Sequence, residues 1–459
     1  MCLHHCAARA VAGSGWTAPR RASSVAVDGG TVMRTDKKGR LALMFVAALL
    51  VVACSMTLAP SGSAMPSGSA APIGSSAPPG SVAPSAPTGA PPSSPAGWIA
   101  ARVEQPVEIE GQPTNAPAFC SPCHPIVGTY INSLVASRGG FLALGQEHPP
   151  SQAAAWSSAD ATLWRRVTTL PAPEGSSIVA GIATPDGGIV AVGTNGRAAA
   201  VWNSADGVAW TMRSLPAPAG VGAAELLAAV ARTSGGYVAA GRVETAEAVR
   251  SATFWRSSDG AVWSRATAPL PAGPSEVTGL AALPGGATVV AVGISGDTRR
   301  GSAAVWRSVD AGASWQAVSS ASLAGGRMLA VTAGQSGFVA VGETTDQTGA
   351  AAWTSADGST WVPAPVQPGL NNGGLQMVMT AVAAGGTGFV ASGWKTDPGN
   401  GSAVVWYSPN GSAWTRYPQD LSFSGAGMAA VMAVPRFLAA GTMGWPDTHA
   451  AEVWIAPSR

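Results

Sequence analysis

The 459-residue sequence predicts an all-β chain built from one repeated four-strand unit, and two periodic signals in phase predict it. The first is a pair of tryptophans. Trp156, Trp202, Trp255, Trp306, Trp353, Trp406 and Trp454 each close a short apolar run. Six of them are followed eight or nine residues later by a second tryptophan: Trp164, Trp210, Trp263, Trp315, Trp361 and Trp414. The second signal is a short apolar run that reaches a glycine, at Gly145, Gly193, Gly241, Gly293, Gly342, Gly393 and Gly441. These glycines recur every 48 to 52 residues. A period of that length, with several β-rich runs per unit, marks the blade of a β-propeller, so the expected fold is a seven-bladed β-propeller.

Within each blade four strands are expected. Strand a is apolar and alanine-rich, as in Leu226 to Ala231 or Met379 to Ala384. Strand b ends at the repeated glycine, strand c ends in the first tryptophan, and strand d begins at the second. The tryptophans are read as packing residues between blades, because residues repeated in a repeat fold are core. Trp454 has no downstream partner. Its counterpart stands far upstream, where Gly97-Trp98-Ile99-Ala100-Ala101-Arg102 resembles Ala209-Trp210-Thr211-Met212-Arg213. The N-terminal strand around Trp98 is therefore expected to complete the last blade, since an open blade would expose unpaired backbone groups.

A short turn joins the two tryptophans of a blade. It carries Asp160, Asp206, Asp259, Asp310, Asp357 or Asn410, preceded two residues earlier by Ser and followed by Gly directly in four cases and after one residue at Asp310. Asp or Asn bonds its own downstream backbone and Gly accepts positive φ, which is hairpin-turn chemistry. The pattern S-x-D-(x)-G-x-x-W resembles the Asp-box, or bacterial neuraminidase repeat, of sialidase-like propellers. Ser308 to Trp315 matches the full-length box; four others are one residue shorter, and Ser158 to Trp164 also lacks the Gly. The resemblance covers most of residues 97–459 and implies a fold with structural turns, on the face away from a catalytic centre. The sialidase set of three arginines, a Tyr–Glu nucleophile pair and an acid Asp is not visible. Only Tyr130 of the four tyrosines is free of a repeat position, and no Glu stands beside it by sequence.

The rest of the chain speaks to location. Met1 and Met33 both stand as start codons, and residues 1–32 carry no structural pattern. From Met33 a basic stretch (Arg34, Lys37, Lys38, Arg40) precedes an apolar run of thirteen residues, Leu41 to Ala53, too short for a comfortable membrane span. It ends Val51-Val52-Ala53-Cys54, which resembles a bacterial lipobox. Residues 1–54 are thus expected to be a leader and lipoprotein signal, with Cys54 lipidated and the chain anchored to the membrane on its extracytoplasmic side. Residues 55–96 are almost wholly Ser, Ala, Pro and Gly, a tether that cannot bury enough apolar surface to fold. Seven of the 26 basic and two of the 24 acidic residues precede Cys54, which leaves 19 against 22, a net charge of −3 with no basic run. Nucleic acid is not an expected partner.

Two groups of residues stand outside the repeat. Cys120-Ser121-Pro122-Cys123-His124 reads either as a local disulfide or as the C-x-x-C-H attachment motif of haem c, with a transition-metal site as a third reading. His148 and His449, with Met443, fall in loops on the same expected face and would supply further ligands. Trp394 and Trp445, with Lys395, Asp397 and Asp447, fall in b-to-c loops of the last two blades and form a candidate ligand face. The expected role is non-catalytic binding or assembly of a protein or glycan partner by a monomeric ring, with no cofactor. The alternatives are a redox or metal protein using the Cys120 loop, or a glycoside hydrolase of sialidase-like fold.

Overall fold

A computed structural model describes residues 98–104, 127–148, 151–269, 273–297, 301–385, 388–397, 400–418, 423–434, 436–443 and 448–456. The leader, Cys54 and the tether lie outside the described residues. Strand β1 is Ile99–Val103. Four strands then follow as a meander: β2 (Val127–Ser137), β3 (Gly140–His148), β4 (Gln152–Ser158) and β5 (Leu163–Arg166). The same antiparallel order repeats in β6 (Ser177–Ala183), β7 (Ile189–Thr194), β8 (Ala199–Ser204) and β9 (Trp210–Ser214). It repeats again in β10 (Ala224–Thr233), β11 (Gly236–Glu244), β12 (Arg250–Ser257) and β13 (Ser264–Ala266). Next come β14 (Ser275–Ala282), β15 (Val289–Ser295), β16 (Ser302–Ser308) and β17 (Gln316–Val318), then β18 (Gly326–Gly334), β19 (Gly337–Thr344), β20 (Ala350–Ser355) and β21 (Val362–Pro363). After β22 (Met377–Gly385), β23 (Gly388–Asp397), β24 (Asn400–Ser408) and β25 (Thr415–Arg416), the described strands end with β26 (Ala426–Val434), β27 (Arg436–Met443) and β28 (Thr448–Ile455).

The chain is an all-β propeller-type array. Five sheets have four strands and one has eight. In the eight-stranded sheet β1 pairs antiparallel with β28, so that Ala100 faces Trp454, and parallel with β5 through Arg102–Leu163 and Val103–Trp164. Trp454 meets the second residue after Trp98, just as Trp202 meets Met212, the second after Trp210. The upstream strand thus sits in the d position beside β28. First strands lie against one another in order, β2 on β6, β6 on β10, and so on to β22 on β26, and β26 returns to β2.

The tryptophans of strands c are buried to 2 % exposure or less, as the repeat predicts. In four of them the indole N–H also anchors the incoming connection: Trp202 donates to the Pro171 carbonyl at 2.8 Å, Trp306 to Pro269 at 2.9 Å, Trp353 to Ser322 at 3.2 Å and Trp406 to Gly369 at 2.8 Å. Trp156 donates to Glu104, just past β1, at 2.9 Å. The segment after β1 therefore serves the first meander as those d-to-a connections serve the sheets that follow them.

The repeated glycine does not end strand b as the sequence suggested; the ladder runs through it. Opposite each glycine, strand a carries a β-bulge whose extra residue is Asn132, Val179, Ala228, Thr278, Leu329, Thr380 or Ala429. The bulge swings a strand-a carbonyl onto the glycine Cα, and at all seven positions a Cβ would sit within 3.0 Å of that oxygen. Where the bulge residue is polar it reaches the next sheet. Asn132 Nδ2 donates to the Ile178 carbonyl at 2.8 Å and Thr278 Oγ1 to Met328 at 2.9 Å, and Thr380 Oγ1 donates to Met428.

The turns between strands c and d behave as their residues predict. In Ser204 to Trp210, Ser204 Oγ accepts the Gly207 N–H at 2.8 Å and Asp206 Oδ1 accepts those of Val208 and Ala209, each at 2.8 Å. The Trp210 indole closes the turn on the Gly207 carbonyl at 3.0 Å. Asn410 serves the same way, accepting from Ser412 at 3.0 Å and Ala413 at 2.9 Å. Hydroxyl and N–H donors from Ser314 hold the Asp310 carboxyl down at about 2. Since Asn410 shows that an amide suffices, Asp310→Asn is expected to cost under about 0.5 kcal/mol, and Asp310→Ala about 1 kcal/mol by chemical denaturation. In the first turn Ala161 takes the glycine position at φ 70°. Ala161→Gly should gain roughly 0.5 kcal/mol, the left-handed penalty less the added entropy of the unfolded chain, read as a small rise in Tm.

Candidate functional site

Antiparallel meanders place a-to-b and c-to-d turns at one end of the array and b-to-c hairpins with d-to-a connections at the other. The turn end is chemically uniform. At the hairpin end the residue after the repeated glycine is Gln146, Thr194, Arg242, Ile294, Glu343, Trp394 and Thr442 in turn. One backbone thus presents six different side chains over seven equivalent positions at one level of that end, which is where specificity can reside.

Much of the charge at this end is spent internally. Arg242 and Arg250 share Glu244 and Glu276, with N–O distances of 3.1 to 3.5 Å. The fully buried Glu225 accepts both terminal nitrogens of Arg265 at 2.9 Å, the Thr253 hydroxyl at 2.7 Å and the Trp255 indole at 2.8 Å. Arg265 also lies 4.4 Å from the centre of the Trp255 ring. Arg327 pairs with Glu343 in the interior, where burial still pushes the Glu343 carboxyl up. Glu147 holds Arg166 through two bonds of 2.6 Å and raises the guanidinium further. Arginines so engaged brace the sheets and do not offer a carboxylate clamp. Tyr130 faces Gln146, not a Glu, and burial pushes its hydroxyl up to about 12, the reverse of what an activated nucleophile needs.

The sequence-predicted residues divide. Cys120, Cys123, His124, Trp445 and Asp447 lie outside the described residues. His148 ends β3, and Gly128 pairs with His148 on one side and His449 on the other, so both histidine positions share one register row. No cluster of three or more His, Cys, Asp or Glu suited to a metal occurs among the described residues. Trp394, Lys395 and Asp397 lie in β23 itself, not in a loop. β23 pairs with β24 without interruption, so the pleat sends Trp394 to one face and Lys395 and Asp397 to the other. Lys395 and Asp397 form an ion pair; burial pushes Asp397 up, but the Lys395 bond and its neighbours outweigh it and the carboxyl stays below its usual range.

Sequence reasoning passed over Glu452. It lies in β28, two residues before Trp454, at a position filled in the other strands c by Ala154, Ala200, Thr253, Ala304, Ala351 and Val404. It is half-buried, it has no ion pair among the described residues, and burial raises its pKa. Strand alternation was the missed signal, since a Glu in phase with a core Trp points inward. At the opposite end a shallow groove of about 420 Å³ runs between the first two c-to-d turns, past Phe141, Leu163, Arg165 and Val208.

No protein-family model and no curated protein matches the chain. Among solved structures, it is similar to YCF48 bound to D1 peptide, with 13% identity, 79% of this chain and 95% of that chain covered, and a TM-score of 0.43. It is also similar to YCF48 from Cyanidioschyzon merolae, at 12% identity, 72% and 95% coverage and a TM-score of 0.43. A third is Chaetomium thermophilum Sqt1 bound to the N-terminus of the ribosomal protein L10, at 14% identity, 70% and 86% coverage and a TM-score of 0.44.

Proposed function

We propose that the chain is a seven-bladed propeller that binds a protein partner through its hairpin end, without catalysis, while lipidated Cys54 tethers it to the extracytoplasmic face of a membrane. The uniform turn end set against the varied hairpin end is the observation that carries this reading. The blade count is supported by seven equivalent bulge–glycine pairs and by first strands that return from β26 to β2. Ser-, Asp- and Gly-based turns support kinship with Asp-box propellers. A photo-crosslinking residue at Trp394 should yield discrete protein adducts in cells, while one at Val208, exposed on the turn end, should yield none. Adducts at Val208 alone would reverse the assignment, and glycan-array binding without protein adducts would replace the protein partner. Lipid labelling lost in Cys54→Ala would test the tether.

A redox reading rests on a narrower observation, the shared row of His148, Gly128 and His449, with the Cys120-Cys123-His124 motif a few residues upstream of β2. A Soret band that survives denaturation and disappears in Cys120→Ala would establish covalent haem. A colourless protein with no free thiol would make Cys120 and Cys123 a disulfide.

A further inference from the structure

Val390, Ala403 and Val405 of the β22–β25 sheet pack against Met428, Ala439 and Trp454 of the next sheet. Trp394 is four residues along β23 from Val390 and shares its face; Glu452 is two residues along β28 from Trp454 and shares that one. Both side chains therefore open onto the same seam between sheets. They also lie near one level. Glu452 pairs with Gly441, the glycine of its own meander, and Trp394 directly follows Gly393, the equivalent glycine. Both are only partly buried, at the hairpin end of the seam.

The charge balance at this seam is uneven. The Glu452 carboxylate has no ion pair or hydrogen bond among the described residues, and Lys395 projects from the other face of β23, where it pairs with Asp397. Leaving a half-buried carboxylate uncompensated costs free energy, and an alanine or valine serves at this position in five of the other six strands c. An aromatic side chain and a carboxylate without a partner among the described residues, opening onto one seam near one level, are the recognition chemistry of an organic cation. We infer that Trp394 and Glu452 form a subsite for a basic side chain, lysine or arginine, presented by the protein partner. This rests on the proposed binding role of the hairpin end and names the chemistry that end selects.

The test uses the full-length protein, with selection from a random-peptide display library. Selected peptides are mapped by their protection of hairpin-end or turn-end residues from labelling. The expected result is hairpin-end peptides with an essential Lys or Arg, whose affinity falls at least tenfold in Glu452→Gln and in Trp394→Ala. Glu452→Gln should also raise Tm, which separates lost binding from lost folding. Hairpin-end peptides without a basic residue, or insensitive to Glu452→Gln, would overturn the subsite and leave the binding role standing. Peptides confined to the turn end would overturn both. A fall in Tm for Glu452→Gln would overturn the premise that the carboxylate lacks a partner.

Discussion

Gly145→Ala is expected to lower stability by roughly 3 kcal/mol or more, the range of a forced backbone displacement in a core strand. The new Cβ would lie within 3.0 Å of the Tyr130 carbonyl oxygen, its carbonyl carbon and nearly so of the Ile131 Cα, all backbone atoms that cannot rotate away. Relief would require the bulge at Asn132 to be undone, and with it the bond from Asn132 Nδ2 to the Ile178 carbonyl in the next sheet. The loss should therefore exceed that of a helix-type Gly-to-Ala change of opposite sign, and it should recur at Gly193, Gly241, Gly293, Gly342, Gly393 and Gly441. Gly139 provides the control: a Cβ there meets nothing within 4 Å, so Gly139→Ala should stay within about 0.5 kcal/mol of the parent by urea denaturation. Equal effects at Gly139 and Gly145 would show that the close approach is not what fixes the repeated glycine.

This glycine also marks how far the sequence could be read. Its period was plain, but its cause was not, because the bulge that requires it lies on strand a and has no residue type of its own: the extra residue is Asn, Val, Ala, Thr or Leu. The natural reading of an apolar run that meets Gly is a strand that stops, whereas β3 continues through Gly145 to His148. The Trp pairs, the Asp-bearing turns and the return of Trp98 to the last meander were all legible, since each repeats a local pattern. The candidate site was less so. Trp394 stood out by its chemistry, but assigning it to a loop hid the pleat that separates it from Lys395 and Asp397. Glu452 and Glu225 were legible only by comparing the strands position by position, because a single carboxylate in an alternating strand carries no motif.

Deleting residues 98–104 should abolish the cooperative unfolding transition, and returning the same segment to the other end of the chain should restore it. Without β1 the outer edge of β28 from Val453 to Ile455 is bare, and Trp156 loses the Glu104 carbonyl it donates to at 2.9 Å. The Arg166 N–H loses the Glu104 carboxylate at 3.0 Å. Trp98, which lies edge-on to Phe423 at 5.6 Å and Tyr417 at 6.0 Å, leaves the cluster around Trp454. Loss of the partly buried Trp98 side chain alone is worth roughly 2 to 4 kcal/mol, below the full-burial cost, and the backbone ladder adds to it. A permutant tests topology against composition. It would begin at Val127 and run from Ile455 through a Ser-Ala-Asp-Gly-Val-Ala turn, copied from residues 204–209, into Trp98 to Glu104. If β1 is strand d of the last sheet, this chain has every meander continuous in sequence and should unfold cooperatively, with Trp98 as shielded from solvent as in the parent. If it does not, the parallel contact of β1 with β5 and the connection into β2, which the permutant breaks, hold the ends together and the strand d assignment is secondary.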